Sequence, residues 1–325
     1  MVTEKKACKY KNYLYKEMYY RQARQGMHDI IEKMHLVGLI DHVYLPGYIG
    51  WSPKEGSGIF DSIISIEGID ITYYKMTDDL GIDENDLYRK VSEEKSLVLL
   101  VNYFGFRDRH INKIIDNLKK RNAYIMEDNA HGFFTWHENP RIASDLVIFS
   151  LHKMFPFKNG GSLVIQNEKL AALKLKGKIY PDENTNPYAY HLHEIAMVRK
   201  RNYLQLSKEL IAAEKEGYLY SLKRDGDLEK NIPQTYPVIL KMGNRDRVYD
   251  LMNKAGYGVV SLYHTLIKPL QNEEYEDSLN ISKHILNLPV HQDVDITKYS
   301  QMVDYLMKCC KDTVEENYDK NNSNK

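Results

Sequence analysis

The stretch from Ser144 to Gln166, SDLVIFSLHKMFPFKNGGSLVIQ, decides how the chain is read. An apolar run, Leu146 to Phe149, leads into Ser-Leu-His-Lys, then Pro156 and the pair Gly160-Gly161, then a second apolar run from Ser162 to Ile165. That is strand, polar loop, strand. A lysine at the end of a buried strand loses hydration, which is costly unless the ammonium is paired or its pKa falls. An amine held in that way is a nucleophile, and Schiff-base chemistry with a carbonyl compound, pyridoxal phosphate above all, is its common use. Lys153 is the candidate. A lysine beside a turn also reads as an ordinary loop residue, and the rest of the chain has to separate the two readings.

At 325 residues and 43% hydrophobic content the chain can bury a full core, as two domains or as one large α/β unit with an appendage. Lys+Arg and Asp+Glu stand at 45 each, so there is no basic excess of the kind that marks a nucleic-acid binder, and an anionic ligand must be held by local groups. Cys8, Cys309 and Cys310 make neither a disulfide framework nor a CxxC knuckle, which suits a reducing cytoplasm. The polar N-terminus lacks a signal-peptide core, and no run approaches the roughly 20 apolar residues of a membrane span. No Gly-x-Gly-x-x-Gly, Walker loop or metal-ligand cluster is present. The expected location is cytoplasmic, with neither nucleic acid nor membrane as a partner.

From Tyr19 the text YYRQARQGMHDIIEKMHLVG places Met27, Ile30, Ile31 and Met34 at helical spacing, with Gly38 as a stop. Val43 to Leu45 and Ile71 to Tyr74 read as short strands and Asp83 to Val91 as a capped helix. Ser96 to Tyr103 reads as a strand buried on both faces, Ile111 to Lys120 as a helix, and Ala123 to Met126 as a further strand. Strands alternating with helices imply βαβ units and a mainly parallel central sheet flanked by helices, with ligands beyond the carboxyl ends of the strands. Glu127-Asp128-Asn129, Ser150 to Lys153 and Asn102-Tyr103 all fall there. A large α/β domain over 15–185 is expected. It is followed by a small C-terminal α+β domain over 186–314, made of a long crossing helix, a strand from Tyr236 to Lys241, a helix from Arg245 to Lys254, a strand from Gly258 to Leu262, a helix ending near Leu286 and a last helix from about Thr297 to Cys310. Residues 315–325 are polar and read as a disordered tail.

Asp128 ends an apolar strand, where an unpaired carboxylate is expensive. A pyridinium nitrogen would be one partner, the proton it keeps there making a pyridoxal ring an electron sink; a helix cap or a nearby Arg would be others.

The pieces VYLPGY, YIMEDNAHG, DLVIFSLHKMFPFKNGGSLVI, RNYLQL and ISKHILNLPVHQD, in this order, resemble the DegT/DnrJ/EryC1/StrS sugar aminotransferases, a branch of the fold-type-I pyridoxal-phosphate enzymes. The resemblance covers roughly residues 20–310. It implies an α/β, fold-type-I aminotransferase-like fold, pyridoxal 5'-phosphate as cofactor, and a homodimer with a shared active site. It also implies transfer of an amino group from a small donor, glutamate, to a keto group of a nucleotide-linked sugar. Carried over residue by residue, it makes Lys153 the Schiff-base lysine and proton shuttle, Asp128 the partner of the pyridine nitrogen and His131 the residue against the ring. Ser150 and, through backbone N–H groups, the helix start at Ala23, Arg24 and Gln25 would then bind the phosphate, and His152 matches the histidine of the same cofactor-binding run. Asn186 would correspond to an asparagine lent by the neighbouring subunit. Tyr263, His264 and His291 would face the substrate.

Two departures stand out. Ser150 and Lys153 are two residues closer than is usual in the family, whereas the seven-residue distance from Lys153 to Gly160 is the usual one and excludes Lys158. The family's ring-stacking aromatic falls on Gly50, with Trp51 and Tyr48 as its substitutes. The family also contains sugar dehydratases, with histidine in place of the lysine, and the fold also serves non-catalytic regulators. Lys153 argues against the first. The lack of a helix-turn-helix or basic patch leaves the second without support.

Overall fold

The computed structural model describes residues 16–91, 95–140, 143–223 and 225–322. Cys8 and the polar segment before residue 16 lie outside them. The first elements are β1 (Lys16–Tyr20), α1 (Ala23–Leu36), β2 (His42–Pro46), α2 (Phe60–Ile63), β3 (Asp70–Tyr74), α3 (Glu84–Lys90), β4 (Ser96–Val101), α4 (Ile111–Lys120) and β5 (Tyr124–Asp128). They continue with α5 (Phe133–Glu138), β6 (Leu146–Ser150), β7 (Gly161–Ile165) and α6 (Glu168–Ala171). These strands form a seven-stranded sheet in the order β1-β7-β6-β5-β4-β2-β3. The five from β3 to β6 are parallel, and β7 and β1 close the other edge antiparallel.

The local chemistry explains the elements. The strands β4, β5 and β6 are apolar almost throughout because both their faces are covered. Helix α4 turns Ile111, Ile114, Ile115 and Leu118 into the core at helical spacing, and α1 does the same with Met27, Ile30, Ile31 and Met34. Asp83 caps α3 by accepting the N–H of Asp86 at 3.0 Å. The strand order reverses between β2 and β4, which puts a crevice at the carboxyl ends of the parallel strands.

The chain then crosses along α7 (Leu192–Lys215) to β8 (Leu219–Ser221), β9 (Thr235–Leu240), α8 (Arg245–Lys254), α9 (Glu276–His284), β10 (Ile285–Pro289) and α10 (Tyr299–Asn322). The strands β10, β9 and β8 make a small antiparallel sheet. Among the described residues no helix is long and apolar enough to cross a membrane, and no cluster of His, Cys, Asp and Glu could hold a metal ion.

Several local expectations give way. Tyr19 and Tyr20, read as the start of a helix, end β1, because Tyr19 and Tyr20 pair with Ser162 and Gly161; the helix begins only at Ala23. The segment read as a helix ending near Leu286 is helical only to His284 and then becomes β10, whose partner β9 supplies the ladder that local periodicity cannot show. Gly258 to Leu262 makes one isolated bridge, Val260 to Asn287, in place of a strand. Helix α10 runs to Asn322, through most of the residues read as a disordered tail, since Glu and Lys prolong a helix already anchored by packing.

One contact ties the sheet to the start of α1. In register, Gly161 lies between Tyr20 and Ser150, and a Cβ on it would stand 2.3 Å from the Ala23 backbone nitrogen and 2.6 Å from its Cα. Backbone on both sides cannot yield as a side-chain tip can. Gly161→Ala is therefore expected to destabilise the fold by about 1–3 kcal/mol, the usual scale of overpacking. Chemical denaturation reads this directly, and an unchanged midpoint would show that the contact is loose.

Candidate active site

The strand ends bring an amine and a carboxyl into one cavity. Asp128 is the last residue of β5, and Lys153 closes the single 3-10 turn, Leu151–Lys153, that follows β6. Both line a cavity of about 380 Å³, together with Gln22, Ala23 and Arg24 at the start of α1, Gly56 to Gly58, Ser150, His152 and Tyr263. Lys158 is exposed and takes no part in it.

Asp128 is buried, and burial raises its carboxyl above the ordinary range, against the opposing pull of the Ala130 N–H at 2.8 Å and the nearby Lys153. Lys153 opens to solvent within the cleft but has protein crowded around it, and the lost hydration lowers its amine below the ordinary lysine value. The charges of Asp128 and Glu55 oppose that shift and Arg24 adds to it. Burial likewise drives His131 well down, so its ring is neutral.

The tautomer of His131 follows from its neighbours. The backbone N–H of Phe104 donates to Nδ1 at 3.3 Å, which leaves the ring proton on Nε2. Nε2 lies 3.1 Å from Lys153 Nζ. With that tautomer Nε2–H points its proton at the Lys153 amine, a contact that favours the nucleophilic free base in the same direction as burial. Phe104 also stacks on His131, with centroids 6.0 Å apart and planes 18° from parallel, and holds φ at +57° to do so.

The aromatic wall differs from the expected one. Tyr48 is fully buried against Tyr103 and Tyr263, and Trp51 is half exposed and bonded through its N–H to the Thr265 carbonyl; neither lines the cavity. Tyr263 does, and its ring explains Gly50. A Cβ at position 50 would stand 2.5 Å from Tyr263 Cδ1 and 3.0 Å from its Cα. The space of a side chain at 50 is already filled from the other end of the chain, at the cost of a left-handed φ of +59° at Tyr263.

The remaining candidates are spread out. Ala23 and Arg24 line the cavity, with Arg24 Nη1 donating to the Glu55 carbonyl at 2.9 Å, while the Gln25 side chain turns back to accept the Gln22 N–H at 3.1 Å. Ser150 Oγ lies 3.4 Å from His152 Nδ1. Asn186 accepts the Tyr188 N–H at 3.0 Å and His264 Nδ1 sits on the Ser261 carbonyl at 2.8 Å; neither borders the cavity. His291 lines a second cavity, of about 720 Å³, which Lys153 also borders. Phe104 and Glu55 went unread in the sequence. Phe104 follows Asn102-Tyr103 at a strand end, the position that could have shown it, whereas Glu55 reaches Arg24 through its carbonyl and Lys153 through its charge from a loop that carries no sequence signal.

With this geometry in place, similarity to known proteins becomes informative. No family model and no curated protein sequence matches the chain. Solved structures do. PseC of Helicobacter pylori, an aminotransferase involved in the biosynthesis of pseudoaminic acid, superposes with a TM-score of 0.67 at 14% identity, over 91% of this chain and 87% of its own. NtdA of Bacillus subtilis with bound cofactor PMP gives 0.68 at 14%, over 91% and 73%. DesI in the presence of its TDP-sugar product gives 0.70 at 16%, over 90% and 80%. The chain has the aminotransferase fold. At these identities the likeness speaks for architecture, and the site has to speak for chemistry.

Lys153 is expected to react with an amine-directed reagent at lower pH than the exposed lysines. Asp128→Asn removes a negative charge that favours the ammonium, so its midpoint should fall further, by roughly one unit. Peptide-resolved mass spectrometry across a pH series measures both, and a midpoint that rises or stays in the variant would refute the coupling.

Proposed function

We propose that the protein is a pyridoxal-phosphate-dependent aminotransferase that moves an amino group from an amino acid to a keto group of a nucleotide-linked sugar. The observation that carries the reading is the placement of Lys153, its amine shifted below the ordinary lysine range, with a buried Asp128 carboxyl on the walls of one cavity that also takes in the start of α1.

The residues suit that cofactor. Asp128 accepts the Ala130 N–H and borders the cavity, so it can hold a proton on a ring nitrogen. Ser150 and the backbone N–H groups at Ala23 and Arg24, at the positive end of α1, offer donors for a phosphate. Bound there, pyridoxal phosphate supplies an electron sink for charge developing on a carbon next to nitrogen. Lys153 would hold and return the proton at that carbon, His131 would favour its free-base form through the Nε2 contact, and Tyr263 would supply an aromatic wall. The two half-reactions use the same lysine in turn, which gives ping-pong kinetics. Among the fold's neighbours, DesI with its TDP-sugar product supports the sugar acceptor. A dehydratase built on a histidine is disfavoured because a lysine stands at this place in the cavity.

Purified protein mixed with the cofactor is expected to show the long-wavelength absorbance of a lysine-bound ring, and borohydride should fix the label on the peptide that holds Lys153. Lys153→Ala should lose both, with turnover reduced by roughly the 10²- to 10⁴-fold that a positioned acid–base group contributes. A colourless protein that ignores added cofactor would sink the proposal.

The assembly is read as a homodimer. Ile179 and Tyr180 expose 67% and 78% of their surface and Tyr188 47%, an apolar group beside the cleft segment of the chain that a second copy could cover. Sedimentation velocity should show a dimer that Ile179→Glu with Tyr180→Glu weakens; a monomeric wild type would remove it. Cys309 and Cys310 are buried free thiols, in keeping with a reducing compartment.

A further inference from the structure

The second cavity holds a cation that the chemistry above does not use. Arg199, on α7, is only 3% exposed, yet its guanidinium forms no ion pair among the described residues. Its Nε donates to Gln292 Oε1 at 3.1 Å, a neutral acceptor, and its plane lies over the Phe134 ring at 4.9 Å. Asp293, an exposed carboxylate on the wall of the same cavity, attracts Arg199 without pairing with it; it accepts from Gln292 Nε2 at 2.7 Å and lies 3.7 Å from His291 Nδ1. Burial pulls the Arg199 pKa down to about 10, so the side chain stays charged at neutral pH in a place where charge is poorly hydrated.

Arg199 and Lys153 line the same cavity. Its volume, about 720 Å³, falls within the range of small-molecule sites, roughly 300–1,000 Å³. Gln234, on the same wall, has a buried Oε1 with no hydrogen-bond partner. A desolvated guanidinium held by a stacked ring and one neutral bond, with its fork left over, is a carboxylate receptor, since Arg binds carboxylates in pairs of parallel hydrogen bonds. The unsatisfied amide oxygen adds an acceptor for an N–H or O–H of the same ligand.

We propose that Arg199 is a specificity residue that anchors a substrate carboxylate in this second cavity and so turns the substrate's reacting carbon toward Lys153. The identity of that substrate rests on the aminotransferase reading; the carboxylate site does not. The carboxylate belongs to the amino-acid donor or to an acidic acceptor, and the experiment separates these.

Cofactor-free protein is titrated with glutarate by calorimetry, as wild type, Arg199→Met and Arg199→Lys. Glutarate should bind the wild type, and Arg199→Met should bind it roughly 30-fold or more weakly, the scale of deleting one partner of a buried charge pair. Arg199→Lys, which keeps the charge and loses the fork, should fall between. If Arg199→Met does not fold by circular dichroism, Arg199→Lys alone decides, through a weaker affinity than wild type.

On cofactor-loaded protein, a donor carboxylate predicts that Arg199→Met raises the KM for L-glutamate and spares butylamine, which has no carboxylate. An acceptor carboxylate predicts an unchanged glutamate half-reaction and a raised KM for the acceptor alone. Equal glutarate affinity in wild type and variants, or no binding to the wild type, overturns the proposal. Failure of the aminotransferase reading shows separately, as absent cofactor uptake in all three proteins.

Discussion

A buried carboxyl and an amine crowded by protein in an open cleft meet at the ends of neighbouring strands, and the site is organised by the hydration each has lost. Burial works against the ammonium of Lys153 and against the carboxylate of Asp128, while each charge favours the other. Burial outweighs the attraction and lowers the lysine's pKa, and His131 reaches the amine through Nε2 because the Phe104 N–H occupies Nδ1. None of this works unless β5 and β6 are parallel neighbours in register, with Met126, Glu127 and Asp128 beside Leu146, Val147 and Ile148. The sheet matters to function chiefly because it ends β5 at Asp128 and β6 just before the turn that carries Lys153, on the wall of one cavity.

The long helix α7 gives the cleft a second kind of charge. Lys153 is coupled to acids in its own cavity, whereas Arg199 is held by a ring and an amide and so keeps its electrostatic capacity for something that arrives from outside. A cation already paired within the protein has little left to offer a ligand; one stripped of water and left unpaired is strained until an anion comes. On the two proposals above, the first cavity holds the cofactor beside the reacting amine, and the second takes the substrate's carboxylate.

Much of the parallel sheet was legible in the sequence because strands covered on both faces are written as unbroken apolar runs, as in SLVLLV and LVIFS. The polar residues that directly follow such runs, Asp128 and Lys153, were legible for the same reason. Strands β1, β8 and β10 were not, since KEMYY, LYS and ILNLP become strands only through partners distant in sequence. The Tyr19–Tyr20 pair and the helix-like lead into Ile285 carry local signals that pairing overrides. Arg199 was hidden in a run of basic residues on an amphipathic helix, where nothing in the spacing separates one buried guanidinium from its solvated neighbours. The aromatic wall was misplaced onto Trp51 and Tyr48 because proximity in sequence to Pro46 stood in for proximity in space.

Gly50 and Tyr263 then amount to one steric unit divided between distant parts of the chain. The volume next to the cleft accepts a ring from either side and only one at a time: with Tyr263 in place, position 50 is left without room for a first carbon. A side chain at position 50 would displace the Tyr263 ring and its backbone alike, so a change at one position is felt first at a residue far from it in sequence.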